Sequence, residues 1–528
     1  MRKEVKWWGW GLQTERYPPE ALQRLLDYLE ARGMDVGQPQ GVPRLPSVAA
    51  SRLRTEDVEA LREATELTLD DQERLSHSLG KGYLDLQRFR VGLPAEVTDG
   101  VAMPKSVVQV KRLLEVASSR HIAVVPYGGG TSVLGGLRPL KGNHRAVITV
   151  DLRRLNRVLE IDETSMLARV EAGILGPELE ETLQARGLTL GHYPQSFHFS
   201  TVGGWIATRS SGHLSGRYGR IEDMVHAVKV VTPAGEIATK EVPARSVGPE
   251  LKEIILGSEG SLGIILEAVL RVRGRAEAAE ERGFLLEEFS GALMAFRRLV
   301  QSGIKPAFVR LSDEEETQAI MAIAGLEMND SACLAVIGFE GAREGVSMQI
   351  RRASDLWSEA GGLDLGGEVV SAWREEYYKA PYLRDDLLDR GFLVETFESA
   401  ASWSRILDVY RGVSQAVQGV WEEQGLKGLI LCHLSHAYTD GGSLYFTVLA
   451  PRLPGREMEQ WTDLKSAATE AILTEGGTLS HHHGIGTDHI RWMKEEHGEA
   501  SIKALKALKA ALDPSGIMNP EKLLEEEG

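Results

Sequence analysis

Three stretches of small and hydroxyl-bearing residues constrain this chain more than any other feature. The first, Pro126-Tyr127-Gly128-Gly129-Gly130-Thr131-Ser132, follows a short β-branched run, His121–Val125. The second, Gln195-Ser196-Phe197-His198-Phe199-Ser200-Thr201-Val202-Gly203-Gly204, continues to Thr208-Arg209-Ser210-Ser211-Gly212. The third is Gly257-Ser258-Glu259-Gly260-Ser261-Leu262-Gly263-Ile264-Ile265. Glycine lets a backbone approach a flat or phosphorylated ligand closely, and successive N–H groups then aim at an anion. The first stretch has neither the GxGxxG spacing of a dinucleotide turn nor the Gly-Lys-Ser/Thr ending of a P-loop. Alone, a three-glycine run is more often a plain tight turn. Three such loops in one segment exceed what turns require.

The segment around them alternates strands and helices. Val110, Leu113, Leu114 and Ala117 have the i, i+3, i+4, i+7 spacing of a helix behind Pro104. Ala146–Asp151 and Met166–Glu171 read as strands, Gly176–Ala185 as an amphipathic helix, and Val230–Ile237 as a hairpin turning at Pro233-Ala234-Gly235. The fold class is therefore α+β. Four regions are expected: a helical N-terminal region 1–95, the glycine-loop domain 96–274, a mixed α/β region 275–475, and a His-rich loop with helices 476–528. In the first, helices at Pro19–Arg32 and Thr55–Thr68 flank a loop, Gly41–Val48, with no evident chemistry. The third has strand candidates at Ala307–Leu311, Cys333–Phe339 and Ser443–Leu449, and helices at Ala292–Ser302, Arg343–Ala360 and Trp403–Gln424. The last helix, Ile502–Leu512, stops at Asp513-Pro514.

Sixty basic against seventy-six acidic side chains give a formal net charge of −16. That field argues against a nucleic-acid partner and requires local Arg or Lys to hold any anionic ligand. Cys333 and Cys432 are too few for a disulfide framework or a thiolate metal cage. The start, Met1 to Trp10, lacks an apolar signal core, and no run approaches ~18 apolar residues. A cytoplasmic protein is expected, with peripheral membrane contact left open.

In their order, the three loops resemble the FAD-binding (PCMH-type) domain of the vanillyl-alcohol-oxidase superfamily. Leu512-Asp513-Pro514-Ser515-Gly516-Ile517-Met518-Asn519-Pro520 is similar to that superfamily's C-terminal signature. The resemblance implies FAD, with Pro126, Tyr127, Gly128, Gly129, Gly130, Thr131 and Ser132 at its pyrophosphate. Gln195, Ser196, Phe197, His198, Phe199, Ser200, Thr201, Thr208, Arg209, Ser210, Ser211, Glu259, Gly260, Ser261, Leu262, Gly263, Ile264 and Ile265 would line the remainder. The first loop has no histidine of the kind that anchors covalent flavin, so non-covalent FAD is expected.

Two branches compete. D-2-hydroxy-acid dehydrogenases hold a divalent ion with two imidazoles and a carboxylate. Of the matching positions, His433 remains, but Tyr445 stands about where the second His would be and His482 where the Glu would be. No metal is expected. The same departures resemble the alkyldihydroxyacetonephosphate synthase family over nearly the whole chain. The shared features include Trp7–Gly11, Tyr193–Ser196, Ile221–Asp223, Tyr382-Leu383-Arg384-Asp385, and Ser480-His481-His482-His483-Gly484.

That resemblance implies exchange of the acyl group of acyl-dihydroxyacetone phosphate for a fatty alcohol. It also implies no net redox and covalent trapping of the substrate carbon at flavin N5, and makes region 275–475 the substrate cap; a homodimer is expected. Tyr438 would be the base, tuned by the loop His481, His482 and His483, of which at most two can share a site. Arg384 would bind the phosphate, and Arg310 would assist it or support the shell around the flavin. The plain alternatives are a packed strand-edge phenol, a surface His run and ordinary salt-bridged arginines. The rival activity is an FAD-dependent D-2-hydroxy-acid dehydrogenase or oxidase; a flavoprotein serving only as a binding module is the third reading. Ending in Glu525-Glu526-Glu527-Gly528 instead of Ser-Lys-Leu, the chain is not expected to be peroxisomal.

Overall fold

The computed structural model describes residues 5–44, 46–92, 96–328 and 331–525, without the side chains of Ala372 and Glu375. Leu45 in the expected Gly41–Val48 loop lies outside them, as do the first four and last three residues on which the signal and targeting expectations partly rest. The chain forms two compact units. One comprises the residues up to Pro43, His213–Arg217 and Ala276–His481; the other comprises Arg44–Gly212, Tyr218–Arg275 and the chain from His482 onward. Among the described residues no helix is long and apolar enough to cross a membrane.

The unit that begins at Arg44 carries the three loops. Ile122–Tyr127, Ala146–Asp151 and Gly100–Ala102 run parallel, with Leu67–Thr68 antiparallel at the edge. Strands buried on both faces need continuous apolar runs, and Ile122–Val125 and Ala146–Ile148 are such runs, fully buried. The helix Val107–Arg120 covers them with Val110, Leu113, Leu114 and Ala117, as its spacing predicts. Ser106 caps its start by accepting from the Gln109 amide, and His121, in a left-handed conformation, ends it. A five-stranded antiparallel sheet follows, ordered Val158–Asp162, Leu167–Glu171, Ile264–Arg271, Val225–Thr232, Gly235–Ala238.

The C-terminal signature completes this unit's core. The helix Glu499–Leu512 stops where Asp513-Pro514 predicts. The Asp513 carboxylate then accepts from the amides of Ile517 and Met518, whose side chains are fully buried. Val124 in the parallel strand exchanges backbone hydrogen bonds with Ile517 and Asn519, each 2.8 Å.

The other unit is built on a seven-stranded antiparallel sheet. Its order is Leu363–Gly366, Ala278–Leu286, Cys333–Gly341, Phe308–Ser312, Leu429–Ala437, Gly441–Pro451, Phe392–Ser402. Trp357 of the helix Arg343–Glu359 is fully buried against Phe284 and Phe296.

The helix Pro19–Ala31 also belongs here. Leu22, Leu25, Leu26 and Leu29 form its buried stripe, while Tyr28 donates to Glu315 and Arg32 to Gln318. The single N-terminal region expected over 1–95 is therefore divided at Pro43, because this apolar stripe is satisfied by Glu314–Ala324. The expected region 476–528 is likewise divided after His481, because the Thr478 amide donates to Ala400 and the Ser399 hydroxyl to the Thr478 carbonyl.

Candidate active site

In the loop-bearing unit the three small-residue stretches meet. A Cβ on Gly128 would strike the Thr201 hydroxyl, one on Gly129 the Phe199 carbonyl oxygen, and one on Gly260 the Pro126 ring. Gly257 and Glu259 donate their amides to Ile206 and Ala207. Glu259 has φ +48°, an uncommon conformation for a side-chain-bearing residue. Among the described residues nothing accepts the amide hydrogens of Gly128, Gly129, Gly130, Thr131 or Ser132. The Ser211 hydroxyl is buried and has no protein partner among them either. Amides and a buried hydroxyl without protein acceptors need water or a ligand to take them up.

Other predicted cofactor residues have structural tasks. The Ser200 hydroxyl accepts from the Trp205 indole (2.7 Å), and Ser196 donates to Ser200. Thr201 caps the helix Val202–Ala207, and Phe197 stacks on Trp205. Thr208 donates to Gly204, and Ser210 bonds His192. The Arg209 guanidinium is engaged by the Leu256 carbonyl and by Glu253. Ser261 donates to the Lys522 carbonyl, while Leu262, Ile264 and Ile265 are core.

The Glu259 carboxylate is bound to protein. It accepts from the amides of Ile485 (2.5 Å) and Gly486 (2.8 Å), just past the histidine run. Burial pushes its pKa up, and those two hydrogen bonds oppose the shift. His482 and His483 pack edge to face, 4.6 Å between centroids. Lys522 is buried too, with its ammonium on the carbonyls of Arg138 and Pro520.

In the seven-stranded unit, Tyr438 leaves the strand Leu429–Ala437 at a three-residue turn, its amide on the Gly441 carbonyl. Its hydroxyl lies 2.7 Å from His481 Nε2. His481 is buried and oriented by Glu398, whose two carboxylate oxygens accept from the His481 amide (2.6 Å) and the Ser480 hydroxyl (2.5 Å). His436, bonded through Nδ1 to Ser215 (2.8 Å), packs on the His481 ring. Sequence reasoning singled out Tyr438 and His481 by motif; it gave no role to Glu398 or Ser215.

Arg310 is paired. It donates to Glu316 Oε1 (2.9 Å), the same oxygen that meets His433 Nδ1 (3.0 Å), and its second amino group reaches His433 Nε2 (3.2 Å). Although burial opposes it, Arg310 followed by His433 holds the Glu316 carboxyl down at about 2. The guanidinium expected to help bind phosphate is thus already neutralised. Arg384, half-buried on the helix Ala380–Asp389, lies near Tyr445. Burial raises the Tyr445 phenol pKa, an effect opposed by a Thr396 hydrogen bond and by the Arg384 charge.

Residues 98–240 match the family model "FAD binding domain", and residues 278–523 match "FAD linked oxidases, C-terminal domain". The chain is thus an FAD-linked oxidase-type flavoprotein of vanillyl-alcohol-oxidase-like fold. It is 36% identical to an alkyldihydroxyacetonephosphate synthase of Dictyostelium discoideum over 88% of this chain and 80% of that one. It is 33% identical to the synthase of Trypanosoma brucei brucei over 99% and 92%. A solved alkyldihydroxyacetonephosphate synthase superposes with a TM-score of 0.84 at 32% identity, covering 98% of this chain and 99% of that one. The chain belongs to the alkyldihydroxyacetonephosphate synthase family. Its cofactor is FAD, and the open amides of Gly128–Ser132 with the buried Ser211 hydroxyl fit an anionic, polyhydroxylated ligand of that kind.

Proposed function

We propose that this enzyme replaces the acyl group of acyl-dihydroxyacetone phosphate with a fatty alcohol, releasing the fatty acid and forming an ether with no net oxidation. Family membership implies the substrates. The observation that carries the reading is the Tyr438–His481 hydrogen bond, with the His481 backbone amide anchored on Glu398 and the imidazole left to the phenol. A phenol of ordinary pKa ~10 is a weak base near neutrality. With His481 Nε2 accepting the phenolic proton, Tyr438 Oη can take the proton from the carbon beside the ketone and return it later. Bound FAD supplies an electrophilic ring system for the same carbon.

Arg384 binds the phosphate in this reading, since a guanidinium pairs with phosphate oxygens in bidentate fashion. Arg310 contributes to the frame instead, through Glu316 and His433. That frame also speaks against the hydroxy-acid activity: both ring nitrogens of His433 are engaged, one by a carboxylate and one by a cationic guanidinium. A metal ion using this imidazole would first have to displace one of them.

Anaerobic mixing of the FAD-loaded enzyme tests the proposal. Palmitoyl-dihydroxyacetone phosphate with hexadecanol should give palmitate and an alkyl ether in equal amounts, with the flavin oxidised at completion. Stoichiometric bleaching by lactate, glycolate or 2-hydroxyglutarate, with no ether formed, would overturn it.

A further inference from the structure

The N-terminal tryptophan-rich segment has no task in the chemistry above, yet it is built closely onto the helix that carries Arg384. Residues Val5–Leu12 form a closed loop, bridged at Val5 and Leu12 and tied by the Lys6 amide to the Gly11 carbonyl (2.8 Å). The Trp10 amide donates to the buried Asp385 carboxylate (2.6 Å), and the Lys6 ammonium lies 3.7 Å from the same oxygen. Lys6 also sits over the Tyr382 ring, 4.9 Å from its centroid, and the Tyr382 hydroxyl donates to Glu15. Two glycines make this fit possible. A Cβ on Gly9 would collide with the Asp385 carboxylate, and one on Gly11 with the Tyr382 hydroxyl. Further along, the Gln40 amide donates to the Asp389 carbonyl (2.9 Å).

Tyr382, Asp385 and Asp389 are spaced i, i+3, i+7 and share one face of the helix Ala380–Asp389. Arg384 lies with Leu387 and Leu388 at i, i+3, i+4 on the opposite face, where both leucines are buried. The helix also lacks a side-chain cap at its start, where Lys379 occupies the cap position. Its axial placement and rotation are therefore fixed by the N-terminal loop on one face and apolar packing on the other.

We infer that the Val5–Leu12 loop is a positioning element for the phosphate-binding arginine: by locking Tyr382 and Asp385 it sets where the Arg384 guanidinium stands. This rests on the phosphate role of Arg384. Displacing a binding group by about 1 Å can cost up to ~100-fold.

The test is steady-state kinetics on the FAD-loaded, full-length enzyme. Gly9→Ala is the main variant, and Tyr382→Phe is the milder one, removing the hydroxyl's bonds to Glu15 and to the Leu12 backbone while keeping the ring. Either should raise the KM for acyl-dihydroxyacetone phosphate, about tenfold for Gly9→Ala, while leaving the KM for fatty alcohol and the flavin content unchanged. In an Arg384→Ala background Gly9→Ala should add nothing, because the group it positions is gone. Equal rises in both KM values, a fall in kcat alone, or a full additional effect on top of Arg384→Ala would overturn the inference. If Gly9→Ala fails to fold, the same criteria are read from Tyr382→Phe. Failure of the phosphate role is distinguishable: Arg384→Ala by itself would then leave the KM unchanged, and both readings would fall.

Discussion

Tyr438 and His481 are separated by 43 residues in sequence and share one short hydrogen bond. Their usefulness depends on Glu398, which holds the histidine by its backbone and leaves the ring available to the phenol. Tyr438→Phe keeps the ring and removes the proton carrier. Ether formation should drop at least ~100-fold with the yellow colour retained, and normal turnover would remove Tyr438 as the base. Glu398→Gln keeps one acceptor and loses the other. It should lower kcat roughly tenfold and leave both KM values near the parent's, as measured by palmitate release.

Motif order made Tyr438 and His481 legible in the sequence, because both lie within contiguous runs. Glu316 was not legible: nothing local to Ser312–Glu316 announces that it joins Arg310 to His433 across neighbouring strands. The two roles open to Arg310, at the phosphate or in the shell around the flavin, could accordingly not be told apart, whereas in the fold its charge is matched by Glu316.

Elements with strong periodicity were readable to within a few residues. The stripe Val110, Leu113, Leu114, Ala117 gave a helix that runs Val107–Arg120, and the apolar run Ala146–Asp151 is a strand over those same bounds. The strand Phe392–Ser402 was not recognised. Its Glu395 and Glu398 are buried, and the partners that satisfy them, the Trp461 indole and Ser480 with His481, lie more than sixty residues away in sequence. The glycine loops show the reverse. They were read as ligand loops, and some of their small residues are there because protein packs against protein. Gly129→Ala should therefore fail even without ligand, since its Cβ would lie on the Phe199 carbonyl. A loss of about 2 kcal/mol or more in denaturant unfolding of the apoprotein is expected, along with poor FAD retention.

Across the whole chain, the division at Pro43 was invisible because a helix does not announce a partner 287 residues away, the separation of Tyr28 from Glu315. A second global property is the buried Lys522. Burial first, then the Arg138 charge, lower its pKa to about 8. An unfolded lysine titrates near ~10.4. Below pH 8 both states carry the charge and the cost of burying it is full. Between about pH 8 and pH 10.4 the unfolded chain binds the extra proton, so stability should rise with pH, by about 3 kcal/mol at most. Lys522→Met should abolish that rise in denaturation midpoints compared at pH 7.5 and pH 10.

The docking of Ile517 and Met518 has a consequence for how the protein is made. The unit that begins at Arg44 cannot complete its core until residues near 520 have left the ribosome, although its parallel strands are synthesised hundreds of codons earlier. The nascent chain must carry the glycine loops with an unfinished core through the synthesis of the whole intervening seven-stranded unit.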